Sequence, residues 1–540
     1  MMQEAEVTAT SSSTVRTAVF ELLRAFGINT VFGNPGSTEL PMFRDFPQDF
    51  RYVLGLQESV VLGMADGFAQ ATRNAALVNL HSAAGVGHAL GNVFTAFRNQ
   101  TPLLITAGQQ ARSILPLEPF LYAQQATEFP RPYVKWSCEP ARAEDVPAAI
   151  ARAYYTSMQA PCGPTFVSIP VDDWDRPCPP FSARTVSRRT LGDPELLLRA
   201  AQALQQAEHP VLVVGAAVAR DNAWQEVIAL AERHQAPVWA SPMSARNSFP
   251  EQHALFAGFL AADRAKVYAC LAPHDFILVL GAPVFTYHVE GHGPIIANQA
   301  TLVQLTDDPN MAVWTPIGTS IVTHLKLGIA TLLQHSGEIR RTAAPASMPA
   351  PTLAGEQLTD AYVLQQIAAL RPADSIIVEE APSSRQAMHD YLPITQPDTF
   401  YTCASGGLGH GLPAAIGIAL AHRGSKRSPR IIAVLGDGSS MYAIQGLAAA
   451  ATLDVQVSFI ILNNGSYEAL REFGRHFAIA RLPGVLLPQL DFCGLAQAQG
   501  IRAIKVTHAA ELDQALRTAF TQPSPMLVEV MLERAATSHE

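Results

Sequence analysis

The sequence predicts an α/β protein of three doubly wound parallel-sheet domains, and three observations carry that expectation. The chain has 540 residues, too many for one hydrophobic core, so about three domains of ordinary size are the natural division. Short apolar runs with strand character alternate with helix-periodic segments from end to end, the pattern of parallel strands covered by helices on both faces. Hydrophobic residues make up 48% of the chain and charged residues only 15%, which implies extensive buried surface and contacts between subunits.

Each series of elements can be read in order. Val15, Ala18, Val19, Leu22 and Phe26 fall on one face of a helix, and Gly27 sits where a C-cap glycine belongs. A short strand NTVF, a Gly-Pro turn, the strand RYVLGL and the helix ESVVLGMADGFAQA follow. The strand ALVNL, a Gly-rich loop, the helix ALGNVFTAFRN and the strand PLLITAG continue the series. A second series starts near His209 with PVLVVGAAV, APVWAS, FILVLGAPV and TLVQLTD. A third follows residue 355 with SIIVEE, TFYTCA, RIIAVLGDG, VSFIILNN, IRAIKV and PMLVEVML. The stretches Pro177–Asp193 and Arg341–Gly355, rich in Pro, Ser, Thr and Ala, read as linkers. The expected domains are residues 12–188, 194–340 and 356–540, and the first and third can share one plan.

Charge and composition exclude several classes. The net charge is −9 with no basic stripe, which argues against nucleic acid and anionic membrane as partners. The six cysteines are scattered without a CxxC pair, so neither a disulfide framework nor a zinc site is indicated. No apolar run approaches the roughly 20 residues of a membrane helix. The opening MMQEAEVTATSSST lacks an apolar h-region, so it reads as a frayed tail, and a soluble cytoplasmic protein is expected.

Ligands of open α/β sheets bind beyond the carboxyl ends of the strands. The polar residues there are Ser37 after FGNPG, Glu58 after RYVLGLQ and His81 after ALVNL; later come the loop ASGGLG, then Asp437 and Asn464. Asp437 lies in a Gly-Asp-Gly turn after the strand IIAVL, and Asn464 ends the strand VSFIIL. A carboxylate and an amide oxygen held at the ends of neighbouring strands suit Mg²⁺, which recruits phosphate oxygens to complete its shell. The glycines let the backbone approach a diphosphate, and the N-terminus of the following helix favours its charge. Glu58, at the start of a helix, also complements the helix dipole.

FGNPGS at Phe32–Ser37, Glu58, GGLG at Gly406–Gly409 and the GDG…NN segment together resemble the thiamine-diphosphate-dependent decarboxylases and synthases. The resemblance runs from about Val15 to Leu532 and takes in LPMFRDFPQDFRYVLGLQE, NLHSAAG, ITAGQQ, VKWSCEPA, PVDDWD and GAPVFTYH. It is strongest to the branch that decarboxylates benzoylformate. It implies a pyrimidine-binding domain, a central domain without cofactor and a pyrophosphate-binding domain, with thiamine diphosphate and Mg²⁺ as cofactors. It also implies active sites shared between subunits, Glu58 of one meeting the cofactor anchored by Asp437 of another. A homodimer is then the smallest active unit, and such enzymes are commonly homotetramers.

By that resemblance Glu58 hydrogen-bonds the cofactor pyrimidine, and Asp437, Asn464 and the Ser466 carbonyl ligate Mg²⁺. Gly438, Ser439 and Tyr467 lie along the diphosphate side; Gly406 and Leu408 meet the pyrimidine and support the bent cofactor. His81 and His288 are the expected proton donors and acceptors near neutral pH. Ser37 matches the serine that holds the substrate carboxylate, although a serine there also suits the N-cap of the helix that follows. His88, His253, His292, His410 and His422 receive no role, with His410 beside the cofactor loop. The expected pocket is Ser37, His81, Thr402, Ala469, Leu470 and Phe473. Thr402 stands where the family has a phenylalanine, and losing one aromatic contact shifts discrimination by about tenfold at most.

The implied reaction is non-oxidative decarboxylation of a small 2-keto acid, with benzoylformate giving benzaldehyde and CO₂. The rival readings are a carboligase of the acetolactate-synthase or benzaldehyde-lyase kind, and a decarboxylase of another aryl or branched 2-keto acid. Two pocket histidines speak against ligation, because ready protonation ends the life of the intermediate. A silent paralogue is a third alternative, but Glu58 and the Mg²⁺ ligands are present.

Overall fold

The computed structural model describes residues 13–337, 350–355, 357–425, 428–479 and 481–533. The expected boundaries at 12, 340, 356 and 540, and most of the linker expected at Arg341–Gly355, lie outside the described residues. The chain divides into two compact units, Met1–Ser187 and Arg188–Glu540.

The first unit holds one six-stranded sheet of β1 (Thr30–Gly33), β2 (Arg51–Leu54), β3 (Ala76–Leu80), β4 (Leu103–Gln109), β5 (Ser137–Cys138) and β6 (Pro164–Pro170). Its order is β2-β1-β3-β4-β6-β5, and every pairing is parallel. β3, β4 and β6 are buried at every position, as expected where helices cover both faces. β5 and β6 were not read from the sequence; PTFVSIP is bracketed by prolines, which mask its apolar centre. The segment after ALVNL is also a correction. It is not a loop but the opening of the helix Ser82–Asn99, whose first turn closes with the Gly85 N–H on the His81 carbonyl at 2.8 Å. Gly85 faces Glu58, and a Cβ there would sit in ordinary contact, 3.5 Å from a carboxylate oxygen.

The second unit holds two such sheets. The first contains β7 (Pro210–Val214), β8 (Val238–Ala240), β9 (Phe256–Phe259), β10 (Phe276–Leu280), β11 (Thr301–Thr306) and β12 (Thr319–Val322). Read from β9, its order is β9-β8-β7-β10-β11-β12, the dinucleotide-fold arrangement with its switch between β7 and β10. The sequence reading passed over β9 and β12, both short strands at the sheet edges. The last sheet contains β13 (Ile376–Glu380), β14 (Phe400–Tyr401), β15 (Ile431–Gly436), β16 (Val457–Asn463), β17 (Arg502–Val506) and β18 (Met526–Met531). Its order, β14-β13-β15-β16-β18-β17, repeats that of the first sheet strand for strand. The first and last sheets thus share one plan. Residues 178–193 carry no helix or strand, in keeping with the expected linker. No helix among the described residues is long and apolar enough to cross a membrane.

Within the second unit, the loops beyond β8 are tied to the last sheet. Arg246 pairs with Asp398 at 2.6 Å and lies over the Tyr401 ring. The Thr402 N–H donates to the Ala245 carbonyl at 3.1 Å. Glu251 accepts from the Ile394 N–H at 2.8 Å and from the Asn247 amide at 2.9 Å. Burial pushes the Glu251 carboxyl from 4.5 up to about 8. Across that window the folded chain keeps a proton that the unfolded chain has released, so stability is full below 4.5 and falls as pH rises toward 8. Glu251→Gln removes this titration. Its melting temperature should change less than the parent's between about pH 5 and 8, by at least about 2 °C; identical slopes would count against the assignment.

Candidate functional site

The carboxyl edge of the first sheet gathers one set of polar groups. Glu58 opens the helix Glu58–Thr72, behind an N-cap in which the Gln57 side chain accepts from the Val60 N–H. The Glu58 side chain is mostly buried. Its Oε1 accepts from the Asn34 amide at 3.2 Å, and its Oε2 lies 3.2 Å from His88 Nδ1. His81, directly after β3, places Nδ1 at 2.8 Å from Glu39 Oε2. Glu39 is buried and is itself fixed by the Gly36 N–H at 2.9 Å and the Gly108 N–H at 3.0 Å. Gly36 is needed for this approach, since a Cβ there would lie 2.1 Å from His81 Nδ1. With Nδ1 committed to Glu39, Nε2 is the ring position open to a proton exchange.

Ser37 lies in the turn before the short 3₁₀ segment Leu40–Phe43 and is exposed. The N-cap of that segment is Glu39, so Ser37 caps no helix and its hydroxyl has no hydrogen-bond partner among the described residues.

The second unit gathers the other set at the neighbouring ends of β13, β15 and β16. Glu380, last residue of β13, accepts the N–H groups of Gly409 at 2.6 Å and His410 at 2.8 Å, and that of Gly411. This fixes the loop holding Gly406 and Leu408 where it enters the helix Gly411–His422. Burial outweighs those donors and pushes the Glu380 carboxyl up to about 7. Gly406 has φ +70° with open space around it, a backbone that glycine adopts without strain.

Asp437 follows β15, and Asn464 follows β16, its register neighbour. Asp437 Oδ1 accepts from the Gly438 N–H at 2.7 Å and Oδ2 from the Gly465 N–H at 2.6 Å. Asn464 Oδ1 accepts from the Ser466 N–H at 2.9 Å. Burial raises the Asp437 carboxyl above its ordinary range against these N–H bonds. Each oxygen still has a lone pair beyond the one its N–H uses. A set of hard oxygens suits Mg²⁺ or Ca²⁺ and not a thiolate-seeking metal. The Tyr467 ring packs directly on Gly438, where a Cβ would meet it at 2.4 Å. The Ser439 hydroxyl donates to the Glu380 carbonyl at 2.6 Å, tying the turn after β15 to the end of β13. The helix expected after the GDG turn is one turn only, Asp437–Ser440, before Gly446–Leu453.

Of the expected pocket residues in this unit, His288 and Phe473 pack ring to ring, with centroids 4.5 Å apart at 67°. The Ala469 N–H donates to Ser383 Oγ at 3.1 Å, and Leu470 on the same helix is exposed. Thr402 is buried, and its hydroxyl is not free. It donates to Glu379 Oε2 at 2.7 Å and accepts from Arg385 at 3.2 Å, while Arg385 pairs with Glu379 at 2.8 Å.

Four residues escaped sequence reasoning. Asn34 and His88 contact Glu58, although His88 received no role. Glu39 orients His81, and Glu380 pins the GGLG loop. Only Glu380 left a trace, as one of two consecutive glutamates ending an apolar strand.

Comparison with known proteins agrees with this geometry. Residues 13–128 match the N-terminal TPP binding domain of thiamine pyrophosphate enzymes, 197–332 their central domain and 382–530 their C-terminal TPP binding domain. The chain is 42% identical over 528 residues to a benzoylformate decarboxylase of Pseudomonas aeruginosa, covering 96% of this chain and 98% of that one. A benzoylformate decarboxylase structure from Polynucleobacter necessarius superposes with a TM-score of 0.95 at 41% identity, covering 96% of this chain and 99% of that one. A thiamine diphosphate-dependent 4-hydroxybenzoylformate decarboxylase from Rhodococcus jostii gives a TM-score of 0.93 at 39% identity, covering 97% and 100%. Matched by all three domains and by relatives along its whole length, the chain belongs to the thiamine pyrophosphate enzyme family.

Proposed function

We propose that this chain is a thiamine-diphosphate- and Mg²⁺-dependent decarboxylase of 2-keto acids that takes benzoylformate to benzaldehyde and CO₂. The observation that carries the reading is its end-to-end likeness, at 42% and 41% identity, to benzoylformate decarboxylases. Asp437, Asn464 and the Ser466 carbonyl would hold Mg²⁺, which would supply positive charge for the diphosphate. Gly438, Ser439 and Tyr467 line the diphosphate, while Gly406 and Leu408 support the ring system. When bound, thiamine diphosphate supplies the nucleophilic carbon and the electron sink that decarboxylation needs.

The chain's own residues bind, orient and move protons. Glu58 would present a carboxyl oxygen to the pyrimidine, its position set by Asn34 and His88. His81 exchanges a proton at Nε2 because Glu39 occupies Nδ1, and His288 serves as a second exchange point, oriented by Phe473. Ser37, whose hydroxyl has no partner among the described residues, receives the substrate carboxylate. Ala469, Leu470 and Phe473 give the apolar wall for the aryl group and keep water from it. The working form is a homodimer or homotetramer in the cytoplasm, with Glu58 of one subunit serving the cofactor anchored by Asp437 of another.

The direct test is the purified protein with thiamine diphosphate, Mg²⁺ and benzoylformate. One CO₂ with one benzaldehyde is expected; an acyloin or acetohydroxy acid as main product would transfer the chain to the carboligases. His81→Ala should retain cofactor in a binding titration yet lose about 10²–10⁴-fold in kcat, and unchanged turnover refutes its role. Asp437→Ala should abolish Mg²⁺-dependent retention of the cofactor on gel filtration, whereas retention equal to the parent's would remove it from the metal site.

A further inference from the structure

Thr402 also walls a cavity of about 270 Å³ between the carboxyl ends of β7 and β8 and the helix Arg385–Tyr391. Phe249, Phe256, Phe259, Leu260, Met388 and Leu392 give it a largely apolar lining. An apolar cavity of about 150 Å³ already holds a benzene ring, so this one has room for a bulky group.

The ionisable residues of the lining present no net charge. Arg246 is paired with Asp398 and Arg385 with Glu379. Glu251, pushed up to about 8 by burial, carries a proton near neutral pH. His389, brought down to about 4 by burial and by Arg385, is uncharged and stacks on Phe259 with centroids 3.5 Å apart. Such a chamber favours a neutral apolar group over a carboxylate or an ammonium.

The cavity wall is joined to the residues read above as the substrate pocket. Thr402 directly precedes the loop from Cys403 to Gly409. Ser383, two residues before Arg385, accepts from the Ala469 N–H. Ala262, a wall residue, accepts the His288 N–H at 2.9 Å through its carbonyl, and the His288 ring rests on Phe473. A phenylalanine at 402 would project toward this space; threonine is shorter and turns its hydroxyl to Glu379.

We propose that the cavity receives a bulky, neutral substituent at position 4 of the aryl ring, so that the enzyme accepts benzoylformates extended there. The inference rests on the decarboxylase reading and narrows its substrate class. kcat/KM for benzoylformate and for 4-tert-butylbenzoylformate is to be measured on the parent enzyme, Ala262→Leu and Thr402→Phe. The parent should use the extended substrate within about tenfold of benzoylformate. Each variant should lower the ratio of extended to plain substrate by about tenfold or more. Should Thr402→Phe fail to fold, Ala262→Leu decides alone. A parent that turns over benzoylformate but not the extended compound, or ratios unmoved in a folded variant, overturns this inference only. No CO₂ from either compound overturns the decarboxylase reading together with it.

Discussion

Three buried carboxylates, Glu39, Glu380 and Asp437, fix the Gly-rich loops of the candidate site. Glu39, Glu380 and Asp437 are each nearly excluded from water, and an uncompensated buried charge costs several kcal/mol. Each is compensated by backbone N–H groups from the loops around it: Gly36 and Gly108 for Glu39, Gly409, His410 and Gly411 for Glu380, Gly438 and Gly465 for Asp437. All but one of these donors are glycines. The reason is room: a Cβ on Gly108 would lie 2.2 Å from Glu39 Oε1, and one on Gly411 would lie 2.7 Å from the Glu380 Cβ. The Gly-rich loops are therefore held by charge as much as by turn geometry. A site whose supports are tied this closely can keep reacting groups in place without reorganising during the reaction.

This also explains which parts were legible in the sequence. The six strands of the last sheet, and the pair Asp437 and Asn464, stand out because their signals are local: an apolar run, a glycine turn, an oxygen at the strand end. His81 was recognisable for the same reason. Glu39 was not, because its partners lie at Gly108 and His81, far along the chain, and a glutamate after a Gly-Ser-Thr turn looks like a solvated cap. His88 was hidden by its place on a helix that read as a Gly-rich loop, since glycines at 85 and 87 are poor helix formers. Ser37 illustrates the converse. Its helix-cap reading rested on residue preference, and the chain instead begins its next turn at Glu39.

The repeated strand order of the first and last sheets gives the shared plan a consequence for chemistry. In both, polar groups gather where the first and third strands in chain order end: Asn34 and His81 in one, Glu380 and Asp437 in the other; Glu58 follows the second strand of the first sheet and Asn464 the fourth of the last. The same edge thus presents a carboxylate and imidazoles in one sheet and a cluster of hard oxygens in the other. The middle sheet, with a different order, contributes His288 from a loop beyond β10.

The end of β13 shows how finely that edge discriminates. Glu379 and Glu380 are consecutive, and both are buried, so desolvation pushes both carboxyls upward. Strand geometry points them to opposite faces. On one face Glu379 meets the Arg385 guanidinium and the Thr402 hydroxyl, which outweigh burial and hold it below the usual carboxylate range. On the other, Glu380 meets only neutral N–H groups and the His410 ring, and burial prevails, leaving it near 7. Partner charge, and not depth, decides the outcome. The same reasoning accounts for Thr402: an aromatic side chain there would offer Glu379 no hydrogen bond, whereas threonine completes the ion pair and leaves open the space beside it. Thr402 thus lets a charged pair persist beside an apolar chamber.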